Sequence, residues 1–165
     1  MKWMENDALA REQMEIGWKW QRFVGAFFEC HGFEVELPVF SFRKDAAHIE
    51  DYADTEDLMV NGERVEVKSR NLHFTSDPAT FPYPRAFVDT VNSYDTYKVK
   101  PIAYVFVSQL TGGMLSTPGR HVDAVRTWQI EERYDNVRSI TDRFYTVGFS
   151  QITGIDVLVK KLRGC

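Results

Sequence analysis

An Asn-Gly step in the middle of DLMVNGERVEVK, residues 57–68, constrains this chain more tightly than any other feature. Both residues tolerate the positive φ of a type I′ turn, so Asn61-Gly62 predicts a two-residue hairpin loop. In that register Val60 pairs with Glu63, Met59 with Arg64, Leu58 with Val65 and Asp57 with Glu66. Side chains alternate faces along a strand. Leu58, Val60, Val65 and Val67 then share an apolar face, while Asp57, Glu66 and Lys68 share the other. Directly opposed side chains have Cβ atoms about 4.5–5.5 Å apart, and like charges placed that way destabilise the pair. Two opposed carboxylates call for a compensating charge, and a divalent cation supplies one.

The rest of the chain predicts an α/β fold. At 165 residues, with 44% apolar residues, a single domain over 1–165 has enough material for a core. From about Ala8 to His31, Leu9, Ile16, Trp20, Phe23, Val24, Phe27 and Phe28 recur at helical spacing, and Gly32 stops the helix. Phe33 to Leu37 alternates as a strand does and ends at Pro38. Residues 41–56 read as a polar, acidic loop, and residues 71–84 as a proline-rich one. The spacing of Phe87, Val88, Val91 and Tyr94 predicts a helix from Arg85 to Tyr97. Ile102 to Val107 is an apolar run consistent with a strand buried on both faces, followed by a turn at Thr111-Gly112-Gly113. Phe144 to Phe149 suggests a further strand and Ile155 to Leu162 a final amphipathic helix. An early helix, an antiparallel hairpin and a doubly buried strand together predict a central mixed sheet flanked by helices.

Composition narrows the function classes. No segment approaches the roughly 18 apolar residues of a membrane span. The charged N-terminus, MKWMENDALAREQME, lacks the apolar stretch of a signal peptide, so a cytoplasmic location and no membrane partner are expected. Two cysteines, Cys30 and Cys165, set no disulfide framework, and four histidines without a CxxC give no zinc signature. The net charge of −4 argues against a general nucleic-acid coat protein. It permits an enzyme with local basic patches and an acidic centre.

Carboxylates and a main-chain carbonyl suit a hard cation such as Mg²⁺. Asp57 and Glu66 would each give an oxygen, and the carbonyl of Val67 could give a third. Lys68, on the face of Glu66, could orient an attacking water or stabilise charge on a phosphate. Those roles fit phosphodiester hydrolysis. The alternative is a surface hairpin whose polar face simply pairs Lys68 with Glu66 or Asp57.

Asp57, eight residues, then Glu66-Val67-Lys68 resembles the site motif of the PD-(D/E)XK nuclease superfamily. The stretch from Gln21-Arg22-Phe23 through Gly32-Phe33-Glu34-Val35 is similar to the first helix and strand of archaeal-type Holliday junction resolvases. The resemblance covers roughly residues 12–70. It implies an α-β-β-β-α-β core, Mg²⁺ with Mn²⁺ as a substitute, and endonucleolytic cleavage of DNA, with a homodimer as the common working state. Glu56 stands where the motif's name places a proline, and the chain is acidic where the resolvases are basic. By its distance from Gly32-Phe33, Gln21 matches the first-helix residue that many members place near the metal, with Glu15 and Glu29 as rivals.

These readings converge on a Mg²⁺-dependent DNA endonuclease, with structure-selective, resolvase-like cleavage as its sharpest form. Asp57, Glu66 and Lys68 are its expected catalytic residues, with Gln21 in support, and Asp57, Glu66 and Val67 its metal ligands. Arg70 extends the motif strand and is a candidate phosphate contact through its bidentate fork. Arg43 and Lys44 form a short basic cluster on a plausible substrate edge. The rival is a catalytically inactive module of the same fold that binds nucleic acid or serves assembly; a small-molecule phosphoesterase is a third possibility.

Overall fold

The structure, a computed structural model, describes residues 2–38, 58–136 and 139–164. Helix α1 (Lys2–Cys30) opens the chain. Its end is built as the sequence predicts: Gly32 has φ +84°, its N–H reaches the Glu29 carbonyl at 2.9 Å, and the Phe33 N–H reaches the Phe28 carbonyl at 3.1 Å. These two bonds and the edge-on contact of Phe28 with Phe33, centroids 5.8 Å apart, make a Schellman cap. The chain turns directly into β1 (Val35–Glu36), shorter than the strand expected over 33–37.

The hairpin forms as expected. Strands β2 (Leu58–Val60) and β3 (Glu63–Arg70) are joined by Asn61 at φ 49° and Gly62 at φ 77°. The register is Leu58–Val65, Met59–Arg64 and Val60–Glu63; the expected pairing of Asp57 with Glu66 lies outside the described residues. Asn61 also clamps the hairpin to β1. Its side-chain oxygen accepts from the Glu34 N–H and its own N–H donates to the Glu34 carbonyl, both at 2.8 Å.

The expected helix over 85–97 is corrected. Arg85–Thr90 is strand β4, and only Val91–Thr96 is helix α2. Ala86 and Val88 point inward with strand periodicity, and the β-branched, aromatic make-up of Arg85–Thr90 favours a pleated surface. Thr90 starts the helix by accepting the Ser93 N–H on its hydroxyl at 3.1 Å. Strand β5 (Ala103–Ser108) is buried at every position, as a doubly covered strand should be. Beyond it come β6 (Met114–Pro118), α3 (Val122–Val125), β7 (Gln129–Asp135), β8 (Ile140–Gly148), β9 (Thr153–Gly154) and α4 (Ile155–Arg163).

Two sheets result. The first has the order β1-β2-β3-β5-β6-β9, with β3 and β5 parallel and the other pairs antiparallel; the second has the order β4-β8-β7. The chain is therefore α/β with a mixed central sheet. Alternation along β5 divides the core. Ala103, Val105 and Val107 pack with Val24 and Phe28 of α1 and Leu158, Val159 and Leu162 of α4. Tyr104 and Phe106 face the other way, toward Ala86, Val88 and Val147 of the second sheet. One face of the central sheet thus carries helices, and the other carries a second sheet, of which the sequence suggested only the strand from Phe144, now part of β8.

The Thr111–Gly113 turn is pinned under the loop before β4. A Cβ on Gly113 would lie 2.5 Å from Thr75 Cα and 2.7 Å from the Phe74 carbonyl oxygen, both backbone. Gly113→Ala should therefore destabilise the fold by about 1–3 kcal/mol, in the range of overpacking substitutions, read as a lowered urea midpoint. An unchanged midpoint would mean that this close approach is absent.

Candidate active site

The site grows from alternation on β3. With Val65 and Val67 turned to the helix side, Arg64, Glu66, Lys68 and Arg70 project toward the second sheet. Parallel pairing sets Tyr104 of β5 beside Glu66 and Phe106 beside Lys68, so the charged row lies along an aromatic floor. Charged groups on a half-covered sheet face must be paired, and these are.

The Lys68 ammonium contacts Glu66 Oε1 at 3.0 Å and Asp89 Oδ1, from β4, at 3.5 Å. Asp89 is nearly sealed, its side chain 5% exposed. Its Oδ2 accepts the hydroxyls of Tyr104 at 3.0 Å and Tyr97 at 3.1 Å, and its Oδ1 accepts the Thr90 N–H at 2.9 Å. Arg64 flanks Glu66 on the other side: Nη2 lies 3.8 Å from Glu66 Oε2, and the guanidinium stacks 3.9 Å from the Tyr97 ring centroid. Glu66 therefore sits between two cations on its own strand. Arg70 donates to the Phe87 carbonyl at 2.9 Å and to the Ser69 carbonyl at 3.1 Å.

Burial and charge act against each other here. Burial draws Arg70 down to about 10, with Asp89 acting upward, so the guanidinium stays charged at neutral pH. For Lys68 burial also acts downward, yet the carboxylates of Glu66 and Asp89 carry it above the ordinary 10.5. The Tyr104 phenol is pushed far above its ordinary 10.0, by burial first and then by Asp89 and Glu66. Folded Lys68 and Tyr104 thus keep protons that the unfolded chain releases above about pH 10. Stability from both is complete below that pH and falls as pH rises through it. Tyr104→Phe should flatten the alkaline fall of the melting temperature, measured from about pH 8 to about pH 11; an equally steep fall would contradict this.

Other expected residues fall on either side of the sheet. Gln21 lies half-buried on α1, whose Trp20, Val24, Phe27 and Phe28 pack on the Val65–Val67 side, opposite Glu66 and Lys68; the rivals Glu15 and Glu29 are exposed. Val67 pairs with Val105 in the parallel ladder. Asp57, Arg43 and Lys44 lie outside the described residues. Among the described residues no three His, Cys, Asp or Glu side chains gather to hold a metal ion. None of the described helices is long and apolar enough to cross a membrane.

Sequence reasoning missed Asp89, Tyr97, Tyr104 and Arg64. Asp89 is the lone carboxylate in the stretch from Arg85 to Val91, a signal hidden by the helical reading of that segment. A scan of protein-family models, a search of curated proteins and a search of solved structures each found no match to this chain.

Proposed function

We propose that this chain is a Mg²⁺-dependent DNA endonuclease of the PD-(D/E)XK type. The observation that carries the reading is the joint partial burial of Glu66 and Lys68 on one face of β3, with a second carboxylate, that of Asp89, 3.5 Å from the ammonium, where a surface hairpin would leave its polar face in solvent. The strand order supports it. A helix leads into an antiparallel β1-β2-β3 unit, and β5 joins β3 in parallel after a crossover that includes α2. This order is consistent with the α-β-β-β-α-β core that the resemblance implies, with β4 as an insertion.

The donor chemistry fits a hard cation, which prefers carboxylate and carbonyl oxygens. Asp57, Glu66 and the Val67 carbonyl would hold it; when bound, it supplies Lewis-acid polarisation of a phosphoryl oxygen and an acidified water. The chain's own residues do the rest. Lys68, fixed over the aromatic floor, presents a positive charge where negative charge develops on the phosphate. Arg70, with Arg43 and Lys44, would contact the DNA backbone, whereas Gln21, on the helix packed against the opposite face of the sheet, takes no part in the proposal. Structure-selective cleavage and a homodimeric working state are the finer forms of this proposal.

Asp57→Ala and Lys68→Ala should each lower the rate of DNA cleavage by about 10²-fold or more, the usual cost of removing a group that stabilises transition-state charge. Cleavage by either variant at the parent rate would overturn the assignment. One observation favours the inactive-module reading: Arg64 and Lys68 already balance the charge of Glu66 without metal. That module would bind DNA and cut none.

A further inference from the structure

We propose that Asp89 is a positioning residue for Lys68, holding its ammonium beside the cleavage site through a contact that does not depend on Glu66; this rests on the nuclease reading.

Lys68 has two anionic neighbours, and they differ in kind. Glu66 is on the same strand, two residues away, and is the carboxylate assigned to metal. Asp89 comes from the second sheet and is held rigidly by Tyr97, Tyr104 and the Thr90 N–H, all within 3.1 Å. A carboxylate with three neutral donors and 5% exposure is fixed in place before Lys68 arrives. A lysine stem is flexible and loses entropy when ordered. Once Glu66 turns its oxygens to a cation, Lys68 would be repelled from that charge unless a second anion kept it. Asp89, 3.5 Å from the ammonium, is the described carboxylate so placed. The Tyr97 and Tyr104 hydroxyls both end on the oxygen that Lys68 does not use, leaving Oδ1 turned to the ammonium.

A residue acting through Lys68 differs from one that only braces the two sheets. If Asp89 works through Lys68, the rate losses of Asp89→Asn and Lys68→Met do not multiply; independent sites do multiply. Single-turnover cleavage with Mn²⁺ should show kcat lowered about tenfold or more in Asp89→Asn, with KM for DNA within about twofold of the parent. The double variant should be no slower than Lys68→Met. In calorimetry Asp89→Asn should take up Mn²⁺ as the parent does. Multiplying losses, or a loss of Mn²⁺ uptake in Asp89→Asn, would overturn the proposal while leaving the nuclease reading intact. No cleavage by the parent itself would remove that reading and this proposal with it. Should Asp89→Asn fail to fold, Tyr97→Phe, which removes one donor from the carboxylate, takes its place beside Lys68→Met. Its loss should likewise vanish in the Lys68→Met background, and multiplying losses there would overturn the proposal too.

Discussion

Glu66→Gln should abolish Mn²⁺ uptake in calorimetry and lower DNA cleavage by about 10²–10³-fold. Glutamine keeps the size of the side chain and one of its oxygens but loses the charge on which binding of a hard divalent cation depends. The fold should survive. Lys68 keeps Asp89 as a partner, and Arg64 keeps the Tyr97 ring and the Val99 carbonyl at 2.8 Å. The stability cost should be about 1–3 kcal/mol, that of a lost hydrogen bond to a charged group. Glu63→Gln is the matched control: the same chemistry three residues away, where the carboxylate pairs with Arg120. It should retain both metal uptake and cleavage. Equal metal uptake by Glu66→Gln and the parent would place the metal elsewhere.

Phe106→Ala should destabilise the fold by about 3–5 kcal/mol, the usual cost of emptying an aromatic position in a packed core. Phe106 is fully buried on β5 and faces the second sheet, in the cluster with Phe74, Val88 and Leu115. Backbone pairing holds the ring over the gap between the two sheets, so neighbouring side chains can collapse into the cavity only in part. The same layer carries Asp89 and the tyrosines that hold it, so the loss should extend to the site. Equilibrium urea unfolding measures the effect directly. A cost below about 1 kcal/mol would mean that the second sheet does not pack on the first, and Asp89 would lose its place in the site.

The sequence made one half of this structure legible. The Asn61-Gly62 turn, the Gly32 cap and the continuous apolar run of β5 are local signals with one physical solution each, and each formed as expected. Together they place Glu66 and Lys68 on a common face. The other half depends on pairing between distant segments. Strand β4 pairs with β8 from Arg85–Gly148 to Thr90–Phe144, and nothing in either segment alone names its partner. The aromatic residues of 85–97 fit helical spacing as well as strand spacing, and only the Thr90 cap separates β4 from α2. Misreading that boundary concealed Asp89, since a carboxylate on an expected amphipathic helix reads as an exposed charge. Tyr104 was hidden differently: an apolar run shows that a strand is buried, not which of its residues carries a hydroxyl into a polar cluster.

Incubating the purified chain with a panel of labelled DNA forms, four-way junction, duplex, flap and single strand, tests the proposed activity most directly. The expected result is cleavage of at least one form with Mg²⁺ or Mn²⁺, lost on chelation and absent from Glu66→Gln. No cleavage of any form with either metal, or equal cleavage by Glu66→Gln, would contradict it.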